Sequence, residues 1–351
     1  MTLWTHSEEH PPPSRRPRHH SLVAVVVLGV ALASATFLPS ATSSRKEVRL
    51  CEEIRATSQR AVADARTALV SYIWGGPRAY PTRVSPSIRD AAPRRLEELD
   101  GVASVKEMTF RLGSGLIARA YVFRPAIRTR RTLVIYHEGH VHDFVLGRPT
   151  IQFFVERGYD VAAVAMPLYR PNNRPHGWTD HARLNALPGG GIAMFLNPAI
   201  GVLNRLAREY AAVAMVGLSG GAWTTVMVAA LDRRVTRSYQ VSGTLPHCMW
   251  PGTAANPLDY ESVWPPLYVR TGFLDLYVMG SVARKQMQVQ NVYDIGFRGR
   301  ASKTYESAVN GALGDVGSGT FEVALDTTIR RRHIISRWAL TRIQQDLSTL
   351  P

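Results

Sequence analysis

The run Ala212-Val213-Ala214-Met215-Val216-Gly217-Leu218-Ser219-Gly220-Gly221-Ala222-Trp223 carries the most structural information in this 351-residue chain. Unbroken apolar residues, suited to a buried strand, end in Gly-Leu-Ser-Gly-Gly and pass into residues that suit a helix. G-x-S-x-G in a strand–turn–helix setting presents a serine hydroxyl at the tip of a sharp turn. The glycines around Ser219 suit that turn, because the backbone there is crowded. A serine hydroxyl is a weak nucleophile, so a base has to accept its proton as it attacks. Ser219 therefore sends the reading on to a histidine, an acid and a pair of oxyanion donors.

Of the 11 histidines only His247 and His333 follow Ser219. With this kind of turn the chain order is serine, acid, histidine. His247 comes directly after the strand candidate 238–242, too early for an acid-bearing strand to intervene. His333 follows the last strand candidate, 321–325, and precedes a helical stretch at 334–347, which is where the base belongs. Asp294, directly after the strand candidate 287–293, is the expected acid, with Asp275 and Asp326 as the other carboxylates in range. The backbone N–H of Gly220 is one expected oxyanion donor. The second is expected from His137-Glu138-Gly139-His140, after the strand candidate 132–136, and is the N–H of either His140 or Gly139.

From about residue 107 onward strand-like and helix-like segments alternate, the signature of a largely parallel sheet between helices. The strand candidates are 107–112, 117–123, 132–136, 160–166, 212–216, 238–242, 287–293 and 321–325. The first two are joined by Gly113-Ser114-Gly115 and predict a hairpin at one edge. The fold class expected is α/β, with an eight-stranded mostly parallel sheet, helices on both faces and an N-terminal helical appendage. Residues 46–74 show apolar residues at helical spacing, and residues 75–93, rich in Pro, Ser and Arg, read as a linker. Segments 171–191 and 246–266 interrupt the alternation just after strands and are expected to cover the site.

The N-terminus reads as an export element. Arg15, Arg16 and Arg18 close a polar leader at residues 1–21 and precede an uncharged, mostly apolar run at 22–38. A helix of that length spans about 26 Å, the lower limit for crossing a bilayer. It is either a cleaved signal, with Ala33-Ser34-Ala35 as the cleavage site, or a retained anchor. In both cases residues 46–104, the appendage and linker, and the catalytic domain at 105–351 are expected outside the cytoplasm, periplasmic or secreted. Two cysteines, Cys51 and Cys248, exclude a cysteine-built zinc site; an oxidising compartment would allow them to pair, but the sequence gives no distance between them and leaves the pairing open. The formal net charge of +15 is almost wholly arginine, and no zinc-finger spacing or arginine-rich helix points to nucleic acid.

With the serine turn, the His-Glu-Gly-His loop and the late histidine in place, residues 105–348 resemble the α/β-hydrolase superfamily, closest to its secreted or periplasmic esterase-like branches. The resemblance implies hydrolysis of an ester, thioester or amide through an acyl-enzyme, with no metal or organic cofactor, on a small-molecule, glycan or lipid ester. Transfer of the acyl group to another hydroxyl would use the same intermediate. Two other readings are a metal-dependent hydrolase built on His137, His140 and His142, and a membrane-anchored binding module without catalysis.

Overall fold

The computed structural model describes residues 52–82, 85–91, 99–250, 258–297 and 299–351. The polar leader, the apolar run 22–38 and Cys51 lie outside these residues. Among the described residues no helix is long and apolar enough to cross a membrane.

Nine strands form one sheet. They are β1 (Ser87–Asp90), β2 (Val102–Gly113), β3 (Leu116–Pro125), β4 (Thr132–His137) and β5 (Asp160–Val164), then β6 (Ala212–Leu218), β7 (Arg237–Val241), β8 (Lys285–Asn291) and β9 (Thr320–Asp326). Their spatial order is β1-β2-β3-β5-β4-β6-β7-β8-β9. The eight expected strands are all present, and β2 and β3 form the expected edge hairpin. Strands from β5 across to β9 run parallel, while β1, β2 and β3 are antiparallel to their neighbours. The ninth strand, β1, lies in the stretch read as a linker. All four of its residues are exposed, so it has no apolar alternation to betray it. It adds to the edge through pairing with β2 and through the ion pairs Lys106–Asp90 and Arg89–Glu107.

The longer helices are α1 (Gln59–Trp74), α2 (Arg148–Val155), α3 (Ile192–Leu206) and α4 (Gly220–Leu231). Two single turns follow, α5 (Tyr260–Val263) and α6 (Pro265–Tyr268), and then α7 (Phe273–Ser281), α8 (Lys303–Val316) and α9 (Arg337–Leu347). Strand alternation distributes them over two faces. On β6, Val213 and Met215 join the core that holds α1, α3, α4, α7 and α8, while Ala214, Val216 and Leu218 join the core that holds α2 and α9. β6 is buried along its whole length, which is why it reads as a continuous apolar run rather than an alternating one.

Helix α1 is shorter than its sequence pattern suggests. Ser58 caps it by accepting from Ala61 N–H, and residues before it are drawn into another role. The N–H groups of Arg55 and Ala56 donate to Asp275 Oδ1 at 2.7 and 2.9 Å, so this segment is held extended at the start of α7 rather than coiled. The buried face of α1, Val62, Leu69, Val70 and Ile73, joins the same core as α3 and α4. Cys248 is disulfide-bonded.

Candidate active site

Ser219 stands between β6 and α4 with φ 58° and ψ −125°, a strained conformation for a residue with a side chain. The turn holds it there. Its N–H donates to Val241 O of β7 at 3.1 Å, and its carbonyl accepts from Ala222 N–H at 2.8 Å. The backbone is so crowded that a Cβ on Gly221 would lie 2.2 Å from His137 O. A Cβ on Gly139 would lie 2.8 Å from Ser219 Cβ, so the loop after β4 is pressed directly against the serine.

Asp294 and His333 come together from the ends of β8 and β9. Asp294 Oδ2 accepts from His333 Nδ1 at 2.9 Å, while its Oδ1 accepts from the N–H groups of Gly296 and Phe297 at 2.8 and 3.0 Å. The Asp294 carboxyl is fully buried and the imidazole is partly exposed. β8 ends at Asn291, earlier than the sequence pattern indicated. Asn291 turns its side chain to donate to Arg332 O at 2.9 Å, and Arg331 N–H donates to Tyr293 O at 3.1 Å. These two bonds tie the loop bearing His333 to the loop bearing Asp294. Phe297 stacks on the imidazole with ring centroids 5.6 Å apart.

The other carboxylates are committed elsewhere. Asp275 sits in the first turn of α7 and binds the chain at Arg55 and Ala56. Asp326 accepts from Thr328 N–H and from the hydroxyls of Thr328 and Ser336. His247 engages Ser262 O through Nε2 at 2.7 Å.

In the loop after β4, Gly139 N–H donates to Glu138 Oε1 at 3.1 Å, which removes it from the candidate oxyanion donors and leaves the N–H of His140. Glu138 also accepts from Tyr136 hydroxyl and Gly147 N–H. Burial pushes its carboxyl up to about 7, against the pull of those three donors.

The cluster of His137, His140 and His142 does not form. His137 is fully buried, gives its Nδ1–H to Glu138 O at 2.8 Å, and is pushed down to about 4 by that burial. His142 accepts from Arg170 N–H and stacks on Tyr169. Instead His140, His181 and Glu261 bring one ligand-type atom each to within 4.8 Å of one another, the group of described residues best disposed to hold a metal ion. Glu261 Oε1 lies 3.1 Å from His140 Nε2, and its Oε2 lies 3.3 Å from His181 Nδ1. Asp259 Oδ2 lies 3.5 Å from His140 Nδ1. Sequence reasoning missed this group. Its only signal was two carboxylates, Asp259 and Glu261, in a Pro- and Trp-rich cover segment just beyond β7, the first strand after the serine. His181 and Glu261 join the two segments expected to cover the site.

No protein-family model matches the sequence, and no curated protein matches it. Solved structures do match. An esterase of Pyrococcus furiosus is similar at 11% identity and a TM-score of 0.53, over 76% of this chain and 99% of that one. A methylesterase is similar at 16% identity and a TM-score of 0.56, over 84% of this chain and 63% of that one. An acetyl xylan esterase of a Paenibacillus species is similar at 14% identity and a TM-score of 0.51, over 82% of this chain and 93% of that one. At such identities the likeness speaks for the fold alone. Together with the strand order and the turn at Ser219, it identifies the architecture of this chain as the α/β-hydrolase fold.

Proposed function

We propose that the chain is an exported serine esterase acting on small acyl esters through an acyl-enzyme. The observation that carries this reading is the bond from His333 Nδ1 to buried Asp294, placed beyond β8 and β9 in a sheet whose β6 ends in the Ser219 turn. Asp294 fixes the tautomer in which Nδ1 carries hydrogen, which leaves Nε2 as the basic nitrogen. Ser219 Oγ attacks the acyl carbon and passes its proton to His333 Nε2. The carbonyl oxygen becomes an oxyanion facing the N–H groups of Gly220 and His140. His333 then gives the proton to the leaving alkoxide, and water repeats the sequence to release the acid. The esterase names of the structural neighbours favour an ester over an amide.

The test of chemistry is reaction of the purified protein with a fluorophosphonate. Wild type should be labelled once and inactivated, and Ser219→Ala should be inactive, unlabelled and folded. Labelling that survives in the variant would place the nucleophile elsewhere.

Export is supported by the Arg-flanked apolar run at 22–38 and by the disulfide at Cys248, which belongs to an oxidising compartment. A reporter active only outside the cytoplasm, fused after Pro351, should be active in cells. A silent fusion made in normal amount would refute export.

A further inference from the structure

The Asp294–His333 pair makes no use of Glu261, a carboxylate shut away from solvent in the single turn α5. A buried carboxylate has to be matched by positive charge. We propose that a zinc ion supplies it, held by Glu261, His140 Nε2 and His181 Nδ1, and that the ion ties the loop after β4 to both segments that cover the site. The proposal goes beyond the esterase reading and does not rest on it. Of the histidine cluster expected from the sequence it keeps only His140.

The three ligands come from three separate stretches of chain. His140 stands three residues beyond the end of β4, His181 opens the short helical turn His181–Ala186, and Glu261 lies in α5. Glu261 Oε1 is 3.1 Å from His140 Nε2, and its Oε2 is 3.3 Å from His181 Nδ1. Ligand atoms around a tetrahedral zinc are about 3.3 Å apart, as follows from bonds of about 2.0–2.2 Å. One atom from each of the three residues lies within 4.8 Å of the others, a span that small side-chain rotations close onto a single ion.

The observation that points to a metal is the state of the first pair. His140 Nε2 and Glu261 Oε1 are both buried, and among the described residues neither has a hydrogen-bond partner, although 3.1 Å separates them. They are close enough to bond but are not aligned on each other, as two lone pairs converging on a third centre would be. A proton on His181 would satisfy Glu261 Oε2 and leave this pair unmatched. One zinc ion engages both atoms and His181 Nδ1 as well.

The far sides of the two rings agree. A ligating imidazole gives its other N–H to a backbone carbonyl or a carboxylate, which fixes tautomer and orientation. His181 Nε2 is 2.8 Å from Pro167 O, and His140 Nδ1 faces Asp259 Oδ2 at 3.5 Å. Two imidazoles and a carboxylate suit zinc and leave its fourth position to solvent. A Cβ on Gly220 would lie 2.5 Å from His140 Cε1, so the ion pins the loop carrying the His140 N–H against the start of α4.

The experiment takes tag-free, full-length protein, strips it with a chelator and titrates it with zinc chloride, following bound metal, heat of binding and melting temperature. Wild type should take up one zinc per chain at this site and melt higher with it. Glu261→Gln and His181→Gln should lose that equivalent, which separates the site from His19 and His20 of the leader. Asp259→Asn should bind about 10–100-fold more weakly, the usual cost of losing a partner behind a ligand, and His142→Gln should bind as wild type does. Cobalt(II) added to stripped wild type should give the intense visible bands of a four-coordinate site, a reading that needs no variant to fold. Absence of saturable zinc in wild type, an equivalent retained in both Glu261→Gln and His181→Gln, or weak six-coordinate cobalt bands overturns the proposal. Loss of zinc in His142→Gln also overturns it, by moving the ligands to the cluster read from the sequence. Fluorophosphonate labelling of Ser219 tests the esterase reading separately, and its failure leaves the zinc result standing.

Discussion

At the scale of single residues, three aspartates within the same stretch of chain are distinguished by what they bind. Asp294 spends one oxygen on two backbone N–H groups and the other on His333, so its second oxygen is fixed in direction before any substrate arrives. An amide in its place would present either a neutral oxygen or an N–H to the imidazole, and the latter would enforce the wrong tautomer. Asp294→Asn should therefore lower kcat by about 10⁴-fold, the loss known for the same change in another triad, with little change in melting temperature. Asp275→Asn should do the reverse. Asp275 holds the chain at Arg55 and Ala56 with its charge, and weakening those bonds should cost about 1–3 kcal/mol of stability and leave kcat near wild type. Steady-state rates and denaturant titrations of both variants check this. A crippled Asp275→Asn with an active Asp294→Asn would reverse the assignment.

At the scale of elements, legibility followed how much of each element is set by its own sequence. β6 and α4 were readable because a fully buried strand, a glycine-rich turn and a helix follow one another within 20 residues of chain. β8 and β9 were readable as strands, and their order along the chain placed Asp294 and His333 on adjacent loops. The end of β8 was not, since Asn291 closes the ladder opposite Asp326 and its side chain binds Arg332 O, a partner 41 positions away. The start of α1 was misread for the same reason, because residues before Ser58 answer to Asp275 rather than to helical periodicity. The His140, His181 and Glu261 group was beyond reach. It forms where a turn and two irregular segments meet, and irregular segments carry no period from which a meeting can be inferred.

At the scale of the whole molecule, folding leaves two adjacent ionisable groups, His137 at the end of β4 and Glu138 just after it, buried and shifted in opposite senses. His137 is pushed from 6.5 to about 4 by burial, which its bond to Glu138 O only partly offsets. As pH falls through 6.5 the unfolded chain takes a proton that the folded chain refuses until about 4, so His137 subtracts stability across that window. Glu138 is raised by burial from 4.5 to about 7, so its contribution is fully present below 4.5 and is lost as pH rises to about 7. Between 4.5 and 6.5 the two slopes oppose each other, one proton being gained by His137 in the unfolded chain and one kept by Glu138 in the folded chain. His137→Gln removes one side of this balance. The variant should melt below wild type at neutral pH, because it loses packing and the bond to Glu138 O. The gap should narrow as pH falls from 6.5 toward 4, where wild type alone resists protonation at this position. Scanning calorimetry of both proteins across that range measures the gap directly, and parallel curves would mean that His137 titrates in the folded protein as it does in the unfolded chain.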